Sequence, residues 1–121
     1  MMAGNSSNLV LEKAKAFALR IVRLYRHLQD KGENVMSKQV LRSGTSIGAN
    51  IAEGHYAVSK ADFVSKYAIA LKEAAETIYW LELLVSSSTL PKDQNMQSLV
   101  ADCDEILRIL VASVKTAQGK R

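Results

Sequence analysis

Four stretches of this sequence repeat apolar residues at alternating steps of four and three, and the single proline, Pro91, falls between two of them. An α-helix turns once every 3.6 residues, so this spacing lays apolar side chains along one face. Val10, Ala14, Phe17, Ile21, Leu24 and Leu28 form the first row, widened by Leu11, Ala18, Val22 and Tyr25. Met36, Val40, Gly44, Ile47 and Ile51 form the second, and Val64, Tyr67, Leu71, Ala74, Ile78 and Leu81 the third. Met96, Val100, Cys103, Leu107, Leu110, Val114 and Ala117 form the fourth. No stretch shows the period-two alternation of a strand. The pattern predicts helices over about 9–31, 35–57, 60–87 and 93–117 within one domain of 121 residues.

The breaks carry the expected punctuation. Asn8 is placed to cap the first helix and Gly32 to end it in the left-handed conformation. Ser59-Lys60-Ala61-Asp62 reads as a capping box with Asp in the usual Glu position, and Ser86 to Thr89 with Pro91 stop the third helix. Gln118 to Arg121 reads as a frayed tail. Helices of similar length joined by short breaks pack as neighbours of opposite direction. The predicted fold is all-α, an antiparallel up-down-up-down four-helix bundle. Gly44, Ser46, Gly48 and Ala49 make the second helix slender, which predicts close approach of another helix.

Several function classes fit poorly. Cys103 is the only cysteine, so neither an intrachain disulfide nor a thiolate metal cage can form. His27 and His55 lie on different helices, and no Glu-x-x-His or His-x-x-x-His pair occurs. Gly44-Thr45-Ser46-Ile47-Gly48 lacks both the Gly-Lys-Ser/Thr ending of a phosphate loop and the strand that precedes one. The expectation is a non-enzyme with no metal and no cofactor. The polar start, Met1 to Asn8, has no signal pattern, and no apolar run spans a bilayer. A cytoplasmic protein without membrane contact is expected.

Three surface features exceed what a minimal bundle needs. The net charge is +4 and the isoelectric point about 9.3. The first helix is basic, with Lys13, Lys15, Arg20, Arg23, Arg26 and Lys31, whereas the fourth carries Asp93, Asp102, Asp104 and Glu105. These charges either balance across neighbouring helices or leave a basic strip for phosphates, with Arg20, Arg23, Arg26, Lys38 and Arg42 as its candidates. Gln39, Arg42, Ser46, Asn50 and Glu53 form a polar stripe on the second helix, which faces either solvent or another subunit. Ile69, Trp80 and Leu84 project from the third row's seam, and Leu19 from the first, which predicts a protein–protein contact anchored by Trp80. The candidate oligomer interface is Arg42, Asn50, Glu53, Ile69, Trp80 and Leu84.

The run from Leu41 to Gly54, Leu-Arg-Ser-Gly-Thr-Ser-Ile-Gly-Ala-Asn-Ile-Ala-Glu-Gly, closely resembles the signature of the four-helix-bundle family of 23S ribosomal RNA intervening-sequence proteins. Ser59 to Phe63, Leu71 to Ala74 and Glu76 to Leu84 are also similar to that family. The resemblance implies a bacterial protein, an up-down bundle and assembly as a pentameric ring, and it carries over no catalytic residues. Accessory proteins of diversity-generating retroelements look similar and work with a reverse transcriptase and nucleic acid through a basic surface. This sequence departs from them in its modest net charge and acidic fourth helix. Two functions are expected to compete. One is a homo-oligomer that binds RNA or DNA with little sequence preference, or assists a nucleic-acid-processing protein. The other is an assembly or adaptor protein that binds only protein.

Overall fold

A computed structural model describes residues 5–119, with side chains from residue 8 onwards. It contains α1 (Asn5–Asp30), α2 (Met36–Gly54), α3 (Lys60–Ser86) and α4 (Gln94–Ala117), and no strand among the described residues. The end of the expected tail, Lys120 and Arg121, lies outside them. Each helix packs against the next in sequence and α4 closes on α1, so the four surround one core. Cross-helix ion pairs give the direction of packing. Lys13 meets Glu105 while Arg20 meets Asp102, and Arg42 meets Glu76 while Lys66 meets Glu53. In both helix pairs one number rises as the other falls, which is the register of antiparallel neighbours.

Local chemistry sets the helix ends. α1 and α3 both end in Schellman turns, in which two N–H groups return to carbonyls of the last turn. Glu33 N–H donates to the Leu28 carbonyl and Gly32 N–H to that of Gln29, with Gly32 at φ +83°. Thr89 N–H donates to Leu84 and Ser88 N–H to Val85, with Ser88 in the left-handed region at φ +61°. Ser59 Oγ accepts from Asp62 N–H, and Asp62 Oδ2 accepts from Val58 N–H, one residue before the group that a capping-box Glu would reach. Asp93 caps α4 through Met96 N–H. Glu33 Oε1 accepts from the N–H groups of Val35, Met36 and Ser37 and so caps α2.

Two expected boundaries change. α1 starts at Asn5, so Asn8 lies inside the helix and does not cap it. α2 ends at Gly54 and not near Ala57; the backbone of Gly54 sits against the Tyr67 ring, where a Cβ would lie 2.8 Å from Tyr67 Cε1. The chain turns away through bonds from Tyr56 and Ala57 N–H to the Glu53 and Gly54 carbonyls.

The inward faces of α1 and α2 follow the predicted rows: Val10, Ala14, Phe17, Ile21 and Leu28 meet Val40, Ile47 and Ile51 in the core. In α3 and α4 the inward face is rotated by about one residue. Tyr67, Ala74 and Leu81 are buried as expected, but their companions are Ala70, Thr77 and Leu84. In α4, Leu99 and Ile106 are buried where Val100 and Leu107 were expected, alongside Met96, Cys103 and Leu110. The small residues of α2 make room for the inward edge of α3: Ser43 meets Thr77, and Gly54 leaves space for the ring of the fully buried Tyr67. Thr77 Oγ1 shares a 2.9 Å hydrogen bond with Ser43 Oγ, so the two buried hydroxyls satisfy each other. The larger Ile78, Val85 and Val100 are left half-buried beside an open groove between α3 and α4.

Gly44 and Gly48 share a helix but not a constraint. A Cβ on Gly44 would stand 2.9 Å from both Cγ atoms of the fully buried Ile21, whereas one on Gly48 would meet Ala14 Cβ at an ordinary 3.5 Å. Gly44→Ala therefore overpacks the α1–α2 contact at a cost of about 1–3 kcal/mol, against a helix-propensity gain of about 1 kcal/mol. Gly48→Ala keeps that gain without the clash. In urea unfolding, Gly48→Ala should match or exceed the wild type and Gly44→Ala should fall below it. The reverse order would show that Ile21 can move aside.

Candidate nucleic-acid interface

The five cations proposed for phosphate contact separate into two groups. Arg20 leaves α1 towards α4 and is held there. Its Nη1 donates to Asp102 Oδ2 at 2.6 Å and to Ser98 Oγ at 3.2 Å, and its Nη2 to the Asn95 carbonyl and Oδ1, both at 3.2 Å. Arg42 leaves α2 towards α3, where it pairs with Glu73 at 3.2 Å and with Glu76. Neither side chain is available to a polyanion without giving up these bonds. Arg23, Arg26 and Lys38 are exposed, and their side chains have no hydrogen bond or ion pair among the described residues. Arg23 and Arg26 lie in the last two turns of α1 and Lys38 in the first turn of α2, so the α1–α2 connection gathers all three at one end of the bundle. Lys31, which donates to the Thr89 carbonyl, joins that connection to the α3–α4 loop. Two carboxylates at the same end, Glu33 and Asp93, accept from the N-terminal N–H groups of α2 and α4. Part of their charge is therefore answered by the helix dipoles.

The charge asymmetry between α1 and α4 thus has two explanations at different residues. Lys13 and Arg20 balance Glu105 and Asp102 across the helix contact, which accounts for that part of the bias without a ligand. Arg23 and Arg26 form no such pair among the described residues, although Asp30 lies one turn beyond Arg26. The register could have been found in the sequence, because Lys13 and Arg20 are one heptad apart and face carboxylates on an antiparallel α4.

The candidate assembly residues are also divided. Leu84 is fully buried, which corrects its placement off the core; α3 turns its Ala70, Thr77 and Leu84 edge inward. Trp80 is half-buried against the core, with its ring edge on Tyr79 at 5.3 Å between centroids. Its Nε1–H donates to Glu76 at 2.9 Å. That bond, followed by the one from Arg42, holds the Glu76 carboxyl below its ordinary value; the Glu76 bond in turn raises Arg42. Glu53 pairs with Lys66 at 3.2 Å, and Asn50 donates to the Ser46 carbonyl of its own helix. Ile69 remains at the surface, joined there by Tyr79, Tyr56 and Val58, which the sequence did not single out.

Other reactive groups do not converge. Cys103 is fully buried, with its thiol directed to the Ala74 carbonyl at 3.4 Å. His27 and His55 stand at opposite ends of the bundle, beside the C-terminus of α1 and the C-terminus of α2. No cluster of three metal-ligating side chains occurs among the described residues, and no helix is long and apolar enough to cross a membrane.

With this geometry in hand, the comparison with known proteins decides the family. The family model of the 23S rRNA-intervening sequence protein matches residues 6–112. The chain belongs to this family. The match spans all of α2 and α3 and most of α1 and α4, so the Leu41–Gly54 signature sits in a chain that is similar almost throughout. A crystal structure of a protein of unknown function from the S23 ribosomal protein family of Bacteroides thetaiotaomicron has a TM-score of 0.87 to it. The two are 50% identical, and the likeness covers 91% of this chain and 98% of the other. No curated protein matches.

Proposed function

We propose that this family member is a non-catalytic homo-oligomer, a pentamer as the resemblance implies, that binds nucleic acid weakly and with little sequence preference. One observation carries the reading: Arg23, Arg26 and Lys38 lie at the same end of the bundle with no side-chain partner among the described residues. Three phosphate contacts per protomer bind weakly alone. Repeated around an assembly, the same contacts act at high effective concentration and gain affinity without any new interaction. Sequence specificity requires base-edge contacts, and the set consists of flexible cations suited to the phosphate backbone. Assembly is supported by Ile69 and Tyr79 on the outer side of α3, beside the half-buried Trp80. A role in the cytoplasm beside a nucleic-acid-processing protein fits the same surface.

The test is binding of RNA and DNA across a salt series, with the oligomeric state measured by light scattering. Three phosphate contacts predict that log K falls with log salt at a slope of about 2 per engaged protomer on a single strand. Arg23→Ala, Arg26→Ala and Lys38→Ala together should flatten that slope while leaving the oligomer intact. A salt-independent response, or no binding at low salt, rejects the nucleic-acid function. An oligomer without affinity for either polymer would identify the adaptor function instead.

A further inference from the structure

Arg23 also lines a recess of about 360 Å³ between the C-terminal half of α1 and the start of α4. Its polar rim includes Arg23 and His27, one helical turn apart on α1, both exposed and without an intrachain partner. Its apolar wall is made by Leu24 of α1 and by Leu90 and Pro91 of the α3–α4 loop. Arg20 forms the back. Its bonds to Asp102, Ser98 and Asn95 fix α1 and α4 on either side of the opening and leave its charge next to the recess. Asp93, also on the rim, has an oxygen committed to Met96 N–H at the α4 N-terminus.

We infer that this recess takes one unpaired base of a single-stranded nucleic acid, with the adjoining phosphate held by Arg23 and His27. The proposal rests on the nucleic-acid reading above and adds the strandedness of the ligand. The volume is at the lower end of pockets that hold small ligands, about 300–1,000 Å³, which suits one base better than a helix or an extended peptide. An apolar wall next to cations matches a nucleotide, which presents a flat, weakly polar base beside an anionic phosphate. A base in a duplex is stacked and paired, so it cannot enter; a base in a loop or single strand can be turned out. The apolar wall offers surface that any base can lie against, and Asn95 and Asp93 are the lining groups able to meet a base edge, so preference among bases should be modest.

The experiment compares a short labelled single strand with the matching duplex by fluorescence anisotropy at one low salt concentration, using the full chain. The single strand should bind several-fold tighter, because only its bases can be turned out into the recess. Pro91 is exposed on the loop, so Pro91→Leu narrows the recess from its rim without supplying a ring on which a base could stack; it should reduce the single-strand preference and leave duplex binding as it was. His27→Ala should weaken single-strand binding more than duplex binding. Unchanged thermal unfolding of both variants confirms that the fold is intact. Equal affinity for the two forms, with the salt slope preserved, overturns the base recess and leaves the phosphate-binding function standing. Polyglutamate that binds as tightly and displaces the strand overturns it in favour of an acidic peptide. Failure of every polyanion to bind overturns both proposals.

Discussion

Leu84→Ala is expected to cost about 2–5 kcal/mol, the range for emptying a leucine site in a packed core. Leu84 has no exposed surface and lies in the cluster with Leu81, Leu90, Met96 and Leu99. Its carbonyl also receives the N–H groups of Thr89 and Leu90, so the same residue anchors the turn into α4. Domains of this size are stable by only about 5–15 kcal/mol, so this one truncation should remove a large share of the total. Ile69→Ala, on an exposed site of the same helix, should change stability by less than about 0.5 kcal/mol. Chemical denaturation separates the two, and light scattering adds the converse, because only Ile69→Ala should weaken assembly. An unaltered unfolding midpoint for Leu84→Ala, together with a lost oligomer, would return Leu84 to the interface and reject the packing described above.

Cys103 should be almost inert to thiol reagents while the protein is folded. Burial, reinforced by the nearby Asp104 and Asp102, pushes its thiol from 9.0 up to about 12. The attacking species is the thiolate, whose population at mildly alkaline pH the shift lowers by about a thousandfold. The buried position excludes the reagent as well. Labelling by a chromogenic disulfide should therefore track unfolding across a denaturant series. The linked effect on stability has a definite sign. A thiol raised above its unfolded value favours the folded state fully below pH 9.0, and that contribution disappears as pH rises from there towards 12. Rapid labelling of the native protein would show that the α3–α4 side opens locally and would remove the basis for this stability effect.

Much of this protein was legible in the sequence. Four apolar rows at helical spacing, with one proline and few glycines, left one way to bury them, and the small residues of α2 announced a close helix contact. Gly32 and Ser59 marked helix ends because their roles depend on local chemistry. Glu33 was missed because one carboxylate reaching three successive N–H groups depends on the shape of the turn. The candidate site was legible only as a set of charges. Arg20 and Arg23 are equivalent in composition and near neighbours on α1, yet one is spent on α4 and the other is free.

The sequence by itself determined the number of helices, their approximate limits and the inward faces of α1 and α2, because each of those helices has one apolar side. It could not determine which face of α3 turns inward. That helix is apolar around much of its circumference, with Leu71, Ile78 and Val85 on one flank and Ile69, Tyr79 and Leu83 on another. A row of large apolar residues therefore looked like the core seam, and the tertiary structure chose a different one. The choice follows from α2: Ser43 pairs with Thr77 and Gly54 leaves space for the Tyr67 ring, so the edge of α3 that carries both turns inward and takes Leu84 into the core. The same long-range packing decides which arginines meet a carboxylate on a neighbouring helix and which remain at the surface. A pairing of that kind depends on the register between helices, and no single helix encodes it.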